Sequence, residues 1–558
     1  MVTNKWNQLV EFFLIAIILV LINVIASQYF FRVDLTEDKR YTISDTSIDI
    51  LKNLDDVVYV EVYLEGEFPA GFERLQRSIK ETLEEFRIYA GDKVQYRFVN
   101  PSAESDEKVR NRFYYQLAQK GIQPTNLFAK EGDKKVEKLI FPGAMITYKN
   151  KEVPVMLLKG NKTLQPQDIL NQSVEGVEFE LISGIRQLTL DRKKSIAFID
   201  GQGELNEAEV SDLKGTLQRY YNVYRINLNE TRDLNNYDAI VIAGPQQAYS
   251  EEKKFLIDQY IVNGGKALFF INTLNVDLDS LDDDGGLAFP YETNLDDLLF
   301  RYGTRLNNDL IKDLNSGFVP VNVGMMGDKP NIEMVNWKFF PLLNTFGKHP
   351  IVKNMDAVYA KFLGTIDTVK AEGIRKTPLV YTSKYTKVIT GPARLSLNEM
   401  RANVDPKEYT GGSLPVMYLL EGEFTSLYKN RPAPIPGKAV VERNAASKII
   451  VCSDGDLIRN DFDPKQNEAL PLGYDMYSRQ TFANKELVVN AIDYLLDENG
   501  IINVKAKEVI MRPLDKIKLQ EERLMWQVIN LLVPVVLIIL FGIIRHMYRK
   551  RKYENFKS

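Results

Sequence analysis

Two short segments carry residues whose types and spacing could bind a ligand. The first follows the apolar run Ser195–Asp200 and has two closely spaced glycines, as turns that hold phosphate groups do. It comprises Gly201, Gln202, Gly203 and Glu204. A dinucleotide-binding fingerprint requires a third glycine, and Asn206 stands at that position. The pattern therefore favours a tight strand-to-helix turn over a phosphate site, with ligand or partner binding as the alternative.

The second segment is an acidic cluster after another apolar run, Lys448–Cys452. Its first members, Asp454 and Asp456, are expected at the carboxyl edge of a parallel sheet, where ligands of such folds bind. Ligand binding and structural turns both remain open for these carboxylates. A further acidic stretch at 277–286 has Leu281 where a calcium loop needs an oxygen ligand, which favours a solvated loop.

Catalytic chemistry finds little support in the sequence. Cys452 is the only cysteine and lies within a strand pattern, and His349 and His546 are the only histidines. Thiol or hydroxyl nucleophiles depend on an adjacent base, and cysteine-based zinc sites need several cysteines. We predict a protein that is not an enzyme and has no cofactor or metal site. A membrane-tethered hydrolase that uses paired carboxylates is the enzymatic alternative.

Alternating strands and helices must position the two candidate segments. Apolar runs at 195–200, 237–243 and 266–272 are separated by helical patterns, which predicts an α/β fold with a doubly wound parallel sheet. We assign this domain, with insertions, to residues 191–512. A smaller α/β domain is predicted over residues 32–190.

Uncharged apolar stretches lie near both ends of the chain. Residues 12–31 and 524–544 comprise 20 and 21 residues, enough at about 1.5 Å per residue to cross a bilayer core of about 30 Å. We predict two transmembrane helices. Buried soluble helices, or a first stretch cleaved as a signal peptide, are the alternatives. Asn23 is the candidate for a contact between membrane helices, unless it lies among lipid headgroups.

Flanking charges predict the orientation of these helices. The tail at 545–558 has six basic side chains against one acidic side chain, a bias typical of cytoplasmic segments. Two spans then place the N-terminal residues 1–11 in the cytoplasm and the body outside, with a juxtamembrane helix at 513–523. The formal net charge of the chain is −4, which argues against nucleic-acid binding.

Over its whole length the chain resembles the GldG family, gliding-motility-associated auxiliary components of an ABC transporter in Bacteroidota. The resemblance rests on the order of sequence blocks that are weakly specific one by one. These are RVDLTEDKRYTIS (32–44), IAFIDGQGELN (196–206), YDAIVIAGPQQAYSEEKKFLIDQYIVNGGKALFFIN (237–272), HPIVKNMDAV (349–358), LLEGEFTSLY (419–428), IIVCSDGDLIRND (449–461) and NKELVVNAIDYLL (484–496). The family turn usually reads Gly-His-Gly-Glu, and Gln202 replaces its histidine here.

The resemblance implies a non-enzymatic auxiliary subunit in the cytoplasmic (inner) membrane with a periplasmic body. Its partners would be a multispanning ABC permease subunit and, through it, a cytoplasmic ABC ATPase, in a complex needed for gliding. A solute-binding receptor of an ABC transporter is the alternative. Residues 195–272 also resemble the sheet of class I amidotransferases, but no nucleophile follows the strand that ends at Gly244.

Overall fold

A computed structural model describes most of the chain. The described residues are 13–15, 17–18, 20, 42–131, 134–159, 166–190, 192–231, 233–276, 285–326, 329–400, 404–497, 500–506 and 522–554. They fall into two compact units, divided between Lys507 and Glu508. The predictions for Asn23, for 277–284 and for nearly all of the juxtamembrane helix lie outside the described residues.

Residues 42–190, called here the smaller-sheet region, contain a four-stranded sheet in the order β2–β1–β5–β6. Strand β2 is parallel to β1, and the other neighbours are antiparallel. Strands β3 and β4 form a separate hairpin. The elements are α1 (Asp45–Lys52), β1 (Val58–Val62), α2 (Ala70–Ala90), β2 (Val94–Phe98), α3 (Glu107–Gln119), β3 (Thr125–Glu131), β4 (Lys134–Ile140), β5 (Gly143–Tyr148), β6 (Lys151–Met156) and α4 (Pro166–Thr189).

Helical spacing of apolar side chains explains how α2 attaches to this sheet. Leu75, Ile79, Leu83 and Phe86 recur every three or four residues and are fully buried. They belong to one core cluster with the inward-facing residues of the sheet, among them Val60. Packing of one apolar helix stripe on the sheet thus forms the core of this region.

Residues 192–506, the larger-sheet region, contain an eight-stranded sheet in the order β17–β20–β23–β24–β10–β9–β7–β8. Its strands are β7 (Ser195–Asp200), β8 (Asn222–Asn227), β9 (Ala239–Ala243), β10 (Lys266–Phe270), β17 (Thr345–Phe346), β20 (Ile374–Tyr381), β23 (Pro415–Glu423) and β24 (Ala446–Cys452). Its helices are α5 (Ser211–Gln218), α6 (Glu251–Val262), α7 (Asp296–Tyr302) and α8 (Asn484–Leu496). Helix α6 begins after Ser250, whose hydroxyl caps it by accepting the Lys253 N–H.

The α/β class is confirmed, but the sheet is mixed rather than wholly parallel. Strands β8, β7, β9, β10 and β24 run parallel, whereas β23, β20 and β17 add an antiparallel edge. Intervening helices predict parallel neighbours, but an apolar run without such a helix predicts a strand and not its direction. An antiparallel edge on a largely parallel sheet is a common arrangement.

Short strands and one long hairpin are inserted between β10 and β23, and a small hairpin follows β24. The long hairpin joins β15 and β16, the two longest strands of the insertion. The remaining strands are β11 (Leu274–Asn275), β12 (Gly286–Pro290), β13 (Thr304–Leu306), β14 (Asp309–Asp313), β15 (Ser316–Met326), β16 (Lys329–Leu343), β18 (Val358–Tyr359), β19 (Ile366–Thr368), β21 (Thr386–Thr390), β22 (Ala393–Leu395), β25 (Tyr474–Asp475) and β26 (Gln480–Thr481).

The second compact unit contains a long apolar helix, α9 (Arg523–Glu554), interrupted in sequence by Pro534. Its segment Leu524–Arg551, with a mean hydropathy of 2.7, is long and apolar enough to cross a membrane by length and composition. No other helix among the described residues meets that criterion. Only six residues of the first predicted span are described, all of them helical, so that span stays a prediction.

Candidate functional site

The loops after the parallel strands meet at one edge of the larger sheet. The order of the chain reverses between the neighbouring strands β7 and β9, and ligands of doubly wound sheets bind outside the carboxyl ends of strands at such a point. The segment 201–204 follows β7, and Asp454 and Asp456 follow β24. Both predicted segments therefore lie at this edge, although about 250 residues separate them in the chain.

Hydrogen bonds within the edge use most polar groups of the 201–204 turn. The Gln202 carbonyl accepts the N–H groups of Gln246 at 3.0 Å and Gln247 at 2.9 Å. The Glu204 carboxylate accepts the Gln202 N–H at 2.7 Å and the Tyr249 hydroxyl. Burial of Tyr249 and the adjacent carboxylate raise the pKa of the phenol, which keeps it a proton donor. The hydrogen-bond donors to the buried Glu204 carboxylate thus come from its own turn and from the loop after β9.

Both glycines of this turn have backbone conformations that other residues rarely adopt. Gly201 has φ 111° and Gly203 has φ 74°, in the region that favours glycine. A side chain at position 201 would meet the Asn227 amide oxygen at 2.6 Å. A tight turn therefore accounts for the two glycines without a phosphate ligand.

The Gln202 side chain is the one imperfectly paired group of the turn. It is 2% exposed, and its amide nitrogen donates to the Gly201 carbonyl. The amide oxygen is buried and accepts no hydrogen bond from the described residues. A buried acceptor without a donor costs about 1–3 kcal/mol. This position is also the one at which the resembling family carries histidine.

Asp454 ties two backbone segments together from a fully buried position, the turn that follows it and the loop after β18. Its carboxylate accepts the N–H groups of Lys361 at 3.0 Å, Asp456 at 2.7 Å and Leu457 at 3.0 Å. Burial and, second, the charge of Asp456 raise the pKa of Asp454 to about 8. The residue therefore titrates near neutral pH while it holds the loop after β18 against the sheet.

Two further residues, Asn272 and Arg459, form bonds at this edge. The sequence patterns identified neither of them as a site residue. The Asn272 side chain accepts the Gly455 N–H at 2.7 Å and donates to Asp456 at 3.2 Å. Arg459 pairs with Asp456 at 3.1 Å and also with Glu209. The position of Asn272 directly after the apolar strand residues was the one available signal.

The loops after β9 and β24 pack without a gap at this edge. A side-chain carbon on Gly455 would lie 2.9 Å from the Gly244 Cα atom. Exposed side chains, including Gln246 and Gln247, cover the outer surface. The edge therefore presents exposed amide side chains on its outer surface.

The other residues considered for chemistry are Cys452 and His349. Cys452 is fully buried in β24, and this burial raises the pKa of its thiol, which disfavours the reactive thiolate. His349 accepts the Ile351 N–H at 3.3 Å through Nδ1 and packs edge-on against Tyr494. Among the described residues, no group of three or more histidine, cysteine, aspartate or glutamate side chains could hold a metal ion.

Comparison with known protein families identifies the larger-sheet region. Residues 193–491 match the family described as "ABC-type uncharacterized transport system". The chain belongs to this family. Residues 37–147 match a second model, described as "Domain of unknown function (DUF7088)". The match of this ABC transport-system family spans the strands, helices and loops that build the edge described above.

A relative from Borreliella burgdorferi, described as "Uncharacterized protein", is 22% identical over 571 aligned positions, which cover 98% of this chain and 99% of the relative. Two solved structures show weak likeness. The structure titled "mmIFT52 N-terminal domain" is 13% identical with a TM-score of 0.30, over 54% of this chain and 97% of that chain. PurLQS from Thermotoga maritima is 8% identical with a TM-score of 0.22, over 55% and 100%. These scores support no inference from either structure.

Proposed function

We propose that this protein is a non-enzymatic, membrane-anchored auxiliary subunit of an ABC transporter complex. The family match over residues 193–491 carries the proposal. The apolar helix α9 supports anchoring in the membrane. A multispanning permease subunit is the direct partner, and a cytoplasmic ATPase joins through the permease. The GldG-like sequence blocks favour a complex that serves gliding motility.

In this proposal the body lies on the periplasmic side of the cytoplasmic membrane. The basic residues after the apolar part of α9, among them Arg545 and Arg549, favour a cytoplasmic C-terminus. Residues 12–31 form the second span, and Asn23 is its candidate contact with another membrane helix. The amidotransferase-like sheet then serves as a scaffold, since its candidate thiol is buried and its loop carboxyl groups are bonded to neighbouring loops.

The carboxyl edge of the larger sheet is the proposed contact surface on the body. Gly201–Glu204 form a turn at this surface. Asp454 accepts the Asp456 N–H within its own turn and holds the neighbouring loop through the Lys361 N–H. The exposed amides of Gln246 and Gln247 offer donors and acceptors to a partner. A surface of exposed amide groups suits a protein contact.

Co-purification from native membranes tests the proposal. The full chain carries a C-terminal tag, is extracted in a neutral detergent, and its partners are identified by mass spectrometry. We expect a permease subunit and an ABC ATPase in stoichiometric amounts. Replacement of residues 12–31 by an unrelated apolar helix of equal length should leave the protein inserted but reduce permease recovery. Recovery of the intact protein without transporter subunits would contradict the proposal.

A further inference from the structure

A cavity of about 440 Å³ lies between the smaller-sheet and larger-sheet regions. Strand β6 and helix α4 line it from one region, and residues 219–221 with helix α8 line it from the other. Small-molecule sites commonly have volumes of about 300–1,000 Å³ and lie at such junctions. The size and the position of the cavity thus suit a small ligand that contacts both regions.

Part of the cavity wall is apolar. Val153 and Val155 come from β6, and Leu496 comes from the end of α8. All three side chains are buried members of the two core clusters beside the cavity. An apolar group of a ligand would be removed from water here, which is favourable by about 25 cal/mol per Å².

Several charged groups of the lining are engaged with protein partners. Lys159 forms an ion pair with Glu180. The Tyr221 hydroxyl donates to Asp493 at 2.6 Å. Asp497 accepts the N–H groups of Gly500 and Ile502, at 2.9 Å and 3.0 Å. These groups are structural, and their bonds leave them less available to a ligand.

Three polar groups of the lining, two guanidinium groups and one hydroxyl group, have no protein partner among the described residues. The guanidinium groups of Arg186 and Arg219 have no hydrogen-bond or ion-pair partner among the described residues. The Ser183 hydroxyl on α4 is buried, and it likewise has no hydrogen-bond partner in the part of the chain that the structure describes. Ser183 lies one helical turn before Gln187. Gln187 bonds to the Arg219 carbonyl at 3.4 Å, which joins the end of α4 to the segment after α5.

We propose that this cavity binds a small organic anion, with a single phosphate or carboxylate group on an apolar body. The anionic group pairs with Arg186 and Arg219, because guanidinium groups match the geometry of both oxyacids in paired hydrogen bonds. Ser183 donates a further hydrogen bond. The apolar body packs on Val153 and Val155. The proposal is independent of the transporter partnership and adds a ligand site that joins the two sheet regions.

Calorimetric titration of the full chain in a neutral detergent tests the site with four soluble probes. Phenyl phosphate and benzoate combine an anionic group with an apolar ring, inorganic phosphate lacks the ring, and benzyl alcohol lacks the charge. We expect saturable binding of phenyl phosphate, benzoate or both, at least about tenfold tighter than that of the other two probes. The stronger of the two anions identifies the oxyacid that the site prefers. Equal or absent binding of all four would overturn the proposal.

Substitutions of the two arginines locate the binding. Arg186→Met and Arg219→Met should each lower the affinity for the preferred probe at least about tenfold, the loss expected for a charged hydrogen bond. Arg112→Met, at an exposed position on α3 outside the cavity, is the matched control and should leave binding unchanged. Arg219 is exposed, so its variant keeps the test informative if Arg186→Met lowers the melting temperature. Unchanged affinity in folded Arg219→Met protein would place the bound probe elsewhere and overturn the assignment.

Discussion

Asp454 is a carboxyl group whose ionisation opposes the folded state. It is fully buried, and burial with the neighbouring Asp456 raises its pKa to about 8, against about 3.9 in an unfolded chain. Between these two values the folded protein binds the additional proton. The free energy of unfolding therefore falls as the pH rises from about 4 to about 8, by at most about 1.4 kcal/mol per pH unit from this group.

Asp454→Asn should remove that contribution to the pH dependence. The asparagine does not titrate, so the melting temperature of the variant should decline less than that of the wild type between pH 5 and pH 8. The variant is also less stable at low pH, because its amide cannot accept all three backbone N–H groups. Melting of the full chain in neutral detergent measures both effects. Asp92→Asn, at an exposed position, is the control, and identical pH profiles for all three proteins would refute the assignment.

Cys452 provides a test of the non-enzymatic role. The thiol is fully buried in β24 and packs in the apolar core of the larger sheet. Cys452→Ala should lower the free energy of unfolding by about 1 kcal/mol through lost packing, as small core truncations do. Permease recovery and motility should persist. Loss of function in a folded variant present at the normal level would instead support an enzymatic role for the thiol.

At the scale of elements, a buried carboxylate holds helix α1 on helix α4. Glu178 accepts the Ser44 N–H at 2.6 Å and the Ser47 hydroxyl at 2.8 Å. Ser44 is also the N-cap of α1 and accepts the Ser47 N–H. The contact fixes the start of the described body, close in sequence to the first predicted span.

Glu178→Ala should release α1 locally. Loss of hydrogen bonds to a charged group costs about 1.5–3 kcal/mol each, so the amides of residues 45–52 should exchange faster with deuterium. The amides of α2 should keep their protection, since its buried stripe packs on the sheet independently of Glu178. Mass spectrometry of the exchanged full chain measures this. Glu81→Ala, at an exposed position on α2, should change neither helix, and unchanged protection of α1 in Glu178→Ala would disprove the role.

At the scale of the whole molecule, the proposed topology places one large acidic body between two spans. Residues 32–544 carry a net charge of −9, and the tail carries +5. Charge bias of this kind directs the basic tail to the cytoplasm. Apolar helix α9 has the length and composition that the arrangement requires at the C-terminal side.

Enzyme fusions test this topology. Alkaline phosphatase, which is active only outside the cytoplasm, should be active when inserted near residue 300 and inactive at the C-terminus. A cytoplasmic reporter at the same two positions should give the opposite pattern. Active phosphatase at the C-terminus with an inactive insertion near residue 300 would reverse the topology. Phosphatase activity at both positions would place both outside the cytoplasm and would exclude a membrane crossing between them.

The sequence by itself determined the local elements of this protein, because helices and strands have their own apolar periods. Strand β7 was predicted with its observed ends. Continuous apolar strands separated by helices also predicted the parallel half of the sheet. The carboxyl edge followed, since parallel strands end on one side, and the segments 201–204 and 454–456 both lie along it.

Only the tertiary structure decided how that edge is bonded, which strands run antiparallel and where the cavity lies. The contacts of Glu204 with Tyr249, and of Asp454 with the Lys361 backbone, join residues far apart in the chain. The cavity between Arg186 and α8 joins residues about 300 positions apart. Such contacts depend on the packing of whole elements, and a local pattern carries no information on the partner that packing will bring to it.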